Sequence, residues 1–167
     1  MASKKLFYIF FLLLFFSSCL ERNPEAVNNL FILNETKDTI FVAEKYRSSN
    51  RTYRMLQPKE SRSLGGNYYQ SVFDIIRETY QKLDIEIEVY KLACPNCDGK
   101  EITDNYSNPY FIGPCLLSWS PPLVSLPDSI HSFYNTNSWV IKKGGHKNKW
   151  EIATFTITEK DLKQNQN

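Results

Sequence analysis

The chain has 167 residues, with 20 Lys and Arg against 18 Asp and Glu. Lys4 and Lys5 sit in an opening stretch without acids, so from residue 19 onward 18 of each sign cancel. That balance argues against nucleic acid as a partner, because phosphate contacts need a concentrated basic face, and no polybasic membrane patch stands out. The length suits one domain. The 10 Tyr and 11 Phe favour a β-rich one, since aromatic side chains fit a pleated, half-buried surface.

Met1 to Lys5 is a short basic start, and Leu6 to Phe16 follows with no polar side chain except the Tyr8 hydroxyl. As a helix that run spans about 16 Å, half a bilayer core. It is too short to cross a membrane and right for the apolar centre of a secretion signal. Ser17-Ser18-Cys19 ends the run and resembles the lipobox of bacterial lipoproteins. The resemblance implies cleavage before Cys19, diacylglyceryl attachment at that thiol and a palmitate-type acyl anchor in a bacterial cell envelope, with the outer membrane expected. Two or three acyl chains hold a protein firmly where one binds reversibly. The organisation expected is a leader over 1–18, a tether over 19–28, one β-rich domain over 29–163 and a disordered tail over 164–167. Only Glu21 and Glu25 follow the cysteine closely, so no acidic run for surface export is present.

Asn29 to Tyr46 reads as a β-hairpin, with Leu30-Phe31-Ile32-Leu33 and Thr39-Ile40-Phe41-Val42-Ala43 flanking the polar turn Asn34 to Asp38. Both arms are apolar on successive residues, which predicts strands covered on both faces near the middle of a sheet. Tyr53 to Leu64 carries weaker strand signal around Gln57-Pro58-Lys59-Glu60. The best helix is Ser71 to Lys82, with Ser71 as cap and Asp74 three residues on, and Val72, Ile75, Ile76 and Tyr80 on one face. The period then becomes two: Ile85, Ile87 and Val89 alternate with Glu86, Glu88 and Tyr90, a strand with one wet face.

Thr103 to Asn137 is irregular and broken by five prolines, with a short helix predicted from Pro127 through Ile130 and Phe133. Ser138 to Lys142 and Lys149 to Thr158 read as a closing hairpin around Gly144-Gly145. The apolar parity shift from Trp150 and Ile152 to Phe155 and Ile157 predicts a β-bulge near Ala153-Thr154. The expected fold is α+β and mainly β: an antiparallel sheet or sandwich-like domain with one or two short helices.

Three stretches, together with the leader, resemble a group of small lipoproteins of the Bacteroidota. They are Phe31 to Val42, Asp84 to Val89 and Thr154 to Leu162. None is a catalytic motif, and the resemblance implies a compact envelope domain without bringing an activity. Asp38-Thr39-Ile40 and Asp128-Ser129-Ile130 also resemble the O-glycosylation sequon of that phylum.

Cys94-Pro95-Asn96-Cys97 with Cys115 downstream is the constellation that bears on chemistry. In an oxidising envelope Cys115 pairs with Cys94 or Cys97, closing a loop of about twenty residues and stabilising by roughly 3 kcal/mol. A zinc site is the second reading and needs Cys115 with His131 or His146 to complete four ligands. A thiol oxidoreductase is the third, and it lacks an amphipathic helix after Cys97. Glu86 and Glu88 read as a strand face rather than a catalytic pair. There is no His-Glu-x-x-His, nucleophile elbow or phosphate loop.

Aromatic residues of the proline-rich stretch, Tyr110, Phe111, Trp119, Phe133 and Tyr134 among them, offer a platform for a sugar ring or a partner protein, or else cover a sheet edge. The expectation is a non-catalytic binding or structural protein, without cofactor, with an envelope protein or glycan as partner. The alternative is a thiol-redox or zinc protein.

Overall fold

Asn34 ends the first strand in a fully buried position, and the chain turns there from one sheet into another rather than folding back beside itself. The computed structural model describes residues 28–47, 50–67, 70–93, 99–103, 108–145 and 150–164. The leader, Cys19, most of the tether and the end of the tail lie outside them.

The strands are β1 (Asn28–Asn34), β2 (Ile40–Lys45), β3 (Arg51–Leu56), β4 (Ser61–Asn67), β5 (Glu86–Leu92), β6 (Lys100–Thr103), β7 (Pro109–Trp119), β8 (Trp139–Gly144) and β9 (Trp150–Ile157). They form a four-stranded sheet ordered β4-β1-β9-β8 and a five-stranded sheet ordered β3-β2-β5-β7-β6. The fold is mainly β and sandwich-like, as expected. Among the described residues β1 and β9 run parallel, and the other pairs run antiparallel.

The predicted hairpin over Asn29 to Tyr46 is therefore corrected: β1 and β2 lie in different sheets. β3 and β4 behave the same way, with β3 against β2 and β4 against β1. Two long strands thus pair along their length and bend together, passing from one sheet to the other at residues 34–39 and 57–60. Strands that switch sheets through such bends make the corners of a sandwich.

Asn34 holds the corner. Its Nδ2 donates to the carbonyls of Asp38 (2.8 Å) and Leu56 (3.1 Å), and its Oδ1 accepts from the Thr36 amide (2.9 Å) and hydroxyl (2.7 Å). Its backbone donates to Glu60 O (2.9 Å) and accepts from Lys59 N (2.7 Å), which ties the two bends together. Lys59 takes a left-handed φ of 65° to present that amide.

The expectation of burial on both faces holds for β2, where Ile40 to Glu44 are all buried, while β1 alternates. Ile40 and Val42 face the main core with Leu30, Ile32, Ile87, Val89, Phe155 and Ile157. Phe41 and Ala43 face the other way, into a second cluster with Tyr53, Ile102 and Ile112. That cluster exists because two register irregularities between β5 and β7 bend the start of β7, with β6 attached, against the outer face of β2. Tyr110 reaches Phe41 at 5.2 Å between ring centroids.

One end of the sandwich is closed by α1, a single α-turn over Val72–Ile75 that widens into a π-helical segment over Ile76–Gln81. Ser71 caps it as predicted, its Oγ accepting from Asp74 N at 3.2 Å. Val72, Ile75, Ile76 and Tyr80 are buried. The open side between β7 and β8 is filled by residues 120–138, where turns and a 3-10 segment at Thr136–Ser138 replace the predicted helix. Asn135 prevents that helix: its Nδ2 takes the carbonyls of Pro127 (3.0 Å) and Ile130 (2.6 Å) and fixes them in a turn.

The closing hairpin forms between β8 and β9, without the predicted bulge at Ala153-Thr154. Ala153, Phe155 and Ile157 face the core, while Trp150 and Ile152 lie on the opposite face at unbroken register. A short α2 (Glu159–Gln164) follows, which the periodicity did not reveal. Its signal is Thr158-x-x-Asp161: Asp161 Oδ2 accepts from the Thr158 amide and hydroxyl, both at 2.7 Å.

Replacing Asn34 by Ala removes the side-chain donor to the buried Leu56 carbonyl and the acceptor of the Thr36 amide, each costing about 1–3 kcal/mol when unsatisfied, while the part-buried Asp38 carbonyl keeps the Thr36 hydroxyl. A loss of about 3 kcal/mol is expected in urea denaturation, and Asn34→Asp should also destabilise, since a carboxylate cannot donate to Asp38 and Leu56.

Candidate binding face

The sequence nominated rings and thiols, and the structure scatters them. Trp119, Phe133 and Tyr134 are buried in the main core and present no open ring face. Phe133 is a hub, edge-on to Tyr80, Trp139 and Phe155 at 5.0, 5.0 and 5.7 Å. Trp139 Nε1 donates to Phe133 O at 2.8 Å, and the Tyr134 hydroxyl donates to Ile85 O. Tyr110 belongs to the second cluster, and Phe111 is half-buried on the same bent strand. These residues close the sandwich. They fit the edge-covering reading of the aromatics.

Cys94, Cys97 and His146 lie outside the described residues. Cys115 is a free thiol opposite Tyr90 on the β5–β7 ladder, its Sγ donating to Leu117 O at 3.2 Å. Burial pushes its pKa up, and the nearby Glu88 and Glu86 charges add to that, the reverse of what an activated thiolate needs. His131 sits elsewhere, its Nδ1 2.6 Å from Asp161 Oδ1 and its ring stacked on Phe155 at 4.8 Å. Among the described residues no three His, Cys, Asp or Glu side chains gather as a metal site.

What periodicity described as a wet strand face is an ordered ionic array on the outer face of the five-stranded sheet. Alternation puts Lys45 of β2, Arg51 and Tyr53 of β3, Glu86, Glu88 and Tyr90 of β5 and Ser118 of β7 on one side. The cross-strand register sets Lys45 opposite both Arg51 and Glu86, and Glu88 opposite Ser118. Arg51 grips Glu88 with two nitrogens, Nε to Oε2 at 2.7 Å and Nη2 to Oε1 at 3.2 Å. The Tyr90 hydroxyl donates to Glu88 Oε2 at 2.6 Å. Lys45 bridges Glu86 at 2.7 Å and Glu88 at 3.5 Å, and the Ser118 hydroxyl donates to Glu86.

Burial works against the Glu88 charge, but hydrogen bonds from Arg51 and Tyr90 and the Arg51 and Lys45 charges outweigh it, so its pKa lies below the ordinary value. Glu86 is lowered by the hydrogen bonds from Lys45 and Ser118. Both carboxylates are ionised and saturated with donors. They therefore hold the guanidinium and the tyrosine hydroxyl in place rather than exchange protons. Next to this array lies a cavity of about 400 Å³ lined by Tyr46, Arg47, Asp84, Glu86, Ser120 and Pro121.

On the inner face of β2 a second carboxylate is buried. Glu44 meets Arg54 Nη1 at 2.6 Å and accepts from the Tyr46 hydroxyl at 3.1 Å. Here burial wins and raises the Glu44 pKa, with Arg54 and the two tyrosine hydroxyls around it opposing.

No protein-family model matches the chain, and no curated protein is significantly similar to it.

The two carboxylates make opposite contributions to stability against pH. Glu88, lowered in the folded state, stabilises above about 4.5 and loses that contribution as pH falls through its folded pKa. Urea midpoints measured from pH 6 to 3 should fall for the native chain, with Glu88→Gln less stable at pH 6 and the gap closing by pH 3. Arg54→Met leaves Glu44 buried and unpaired and should cost about 3–5 kcal/mol at pH 7. The cost should shrink as pH falls, because burial raises the Glu44 pKa and favours its neutral form, and a Glu44→Gln/Arg54→Met pair should recover most of it.

Proposed function

We propose that the chain is a lipid-anchored envelope protein, attached through Cys19, that binds a partner protein through the outer face of its five-stranded sheet and performs no catalysis. The anchor follows from the basic start, the apolar run Leu6 to Phe16 and Ser17-Ser18-Cys19. The binding role is carried by the Arg51, Tyr90 and Lys45 array. Arg and Tyr are the residues that dominate protein interfaces, and a side chain already fixed in the free protein loses little entropy on binding. Saturated carboxylates at the centre of the array suit a binding face better than an acid–base site. A glycan has less support here, because three of the five rings expected to stack on it, Trp119, Phe133 and Tyr134, lie in the core. A thiol role for Cys115 is disfavoured by its raised pKa and acidic neighbours.

Both halves of the reading are testable in one strain. The intact mass of the membrane-extracted protein should show loss of the leader and addition of acyl chains, and Cys19→Ser should abolish the acyl mass. A photo-crosslinking residue at Lys45 should give a discrete adduct with another envelope protein, reduced at least tenfold by Arg51→Glu. Equal adduct with and without that substitution would remove the sheet face from the reading. Stoichiometric zinc, or a rapidly exchanging disulfide at Cys115, would replace the binding role by the thiol one.

A further inference from the structure

Among the described residues, five of the eight large apolar side chains that stand exposed, Phe73, Leu83, Leu123, Val124 and Trp150, belong to elements at the end of the sandwich where β1 begins, while Leu92, Ile130 and Val140 lie elsewhere. β1 starts there, its Asn28 side chain donating to Gln70 O at 2.5 Å and accepting from Glu151 N at 2.7 Å. α1 starts beside it, Val72 N donating to Glu151 Oε2 at 3.2 Å, and then crosses the end of the sandwich to β5. Its inward face is buried, and its outward face carries Phe73, 42% exposed, with Leu83 just beyond it at 55%. The turn after β7 joins this end, since Leu123 and Val124 line a cavity of about 440 Å³ together with Gln81 of α1. Leu123 is 103% exposed and Val124 76%. At the other margin Trp150 opens β9, 37% exposed, its indole lying so close over Gly144 that a Cβ there would meet the ring at 2.0 Å.

Scattered single apolar residues on a surface need no explanation, but five on one end do. Eight residues, 20–27, separate Cys19 from β1. Fully extended they reach about 29 Å, so a lipid at Cys19 keeps this end within one tether length of the bilayer. Among the described residues the cations of this end pair with acids: Arg47 with Asp84, Arg77 with Asp74, Lys82 with Glu78 and Lys143 with Glu151. The contact proposed here rests on the exposed apolar side chains.

We propose that this end, through Phe73, Leu83, Leu123, Val124 and Trp150, seats in the interfacial layer of the lipid bilayer that holds the Cys19 anchor. The inference rests on the lipidation proposed above. Indole suits the interface, where an apolar ring and a polar N–H are both satisfied, and Leu123-Val124 stands out as an apolar tip able to enter the acyl boundary.

The test uses the full lipidated protein reconstituted in phosphatidylethanolamine–phosphatidylglycerol vesicles, with and without brominated acyl chains that quench tryptophan on contact. Trp119 and Trp139 are buried, so the quenched signal should come from Trp150 and vanish in Trp150→Phe. Leu123→Ser/Val124→Ser changes only exposed side chains and should lose most of the quenching while the protein still floats with the vesicles. High salt should leave the quenching intact. Flotation without quenching would overturn the proposal while keeping the anchor, and quenching abolished by salt would overturn its apolar basis. Failure to float, together with an unacylated mass, would remove the lipidation reading and this inference with it. Copies cross-linked to each other through Leu123 would put a second molecule on this end and overturn it as well.

Discussion

A single buried carboxamide stands where the two long strands of this fold change sheets. The bend at Asn34 leaves carbonyls and amides at the corner that no ladder can satisfy, and water is excluded there. Asn is the side chain that both donates twice and accepts twice from one short planar group, and all four capacities are used. Everything downstream depends on this corner. It stacks β1 over β2 and β4 over β3, sets the gap that Phe133, Trp139 and Phe155 fill, and turns Phe41 outward to seed the second cluster.

The two carboxylates on β2 and β5 show how a strand face decides the fate of a charge. Glu44 and Glu88 both expose little surface, yet their pKa values move in opposite directions, and Glu44 lies deeper, between the two sheets. Glu88 has a two-pronged guanidinium and a tyrosine hydroxyl at close range with a lysine behind them, while Glu44 has one guanidinium nitrogen and longer hydroxyl contacts. Depth of burial together with donor number and distance separates the two outcomes.

Local signals in the sequence were reliable where local chemistry decides the structure. Ser71 with Asp74, the alternation through Ile85 to Val89 and the glycine-closed hairpin of β8 and β9 all form where the residues point to them. The errors share a cause. The turn composition of Asn34 to Asp38 is the same whether the following strand returns along its neighbour or crosses to another sheet, and only the distant Leu56 and Glu60 partners distinguish the two. The outward Trp150 and Ile152 mimicked a bulge because two consecutive strand faces can both be apolar when one is a surface margin. The ionic array was visible only as alternation, since Arg51, which grips Glu88 with two nitrogens, comes from β3, 37 residues away. The aromatic stretch could not be divided by composition into core and surface, because Trp119 enters the core from the end of β7 and Phe133 and Tyr134 enter it from turns beside Asn135, rather than from a helix.

The parallel pairing of β1 with β9 has a consequence for how the protein is made. These two strands occupy the middle of their sheet, and Asn28 to Asn34 lies beside Glu151 to Ile157. A chain that emerges amino end first therefore holds its first strand without its neighbour until nearly the last residues have appeared. Contacts so far apart in sequence are slow to form and cannot be anticipated by a partial chain. The half-made polypeptide has no complete four-stranded sheet to lock, and stays threadable until synthesis is almost over. The strand order itself ties closure of this sheet to the last strand of the chain, while β1 has only β4 beside it until then.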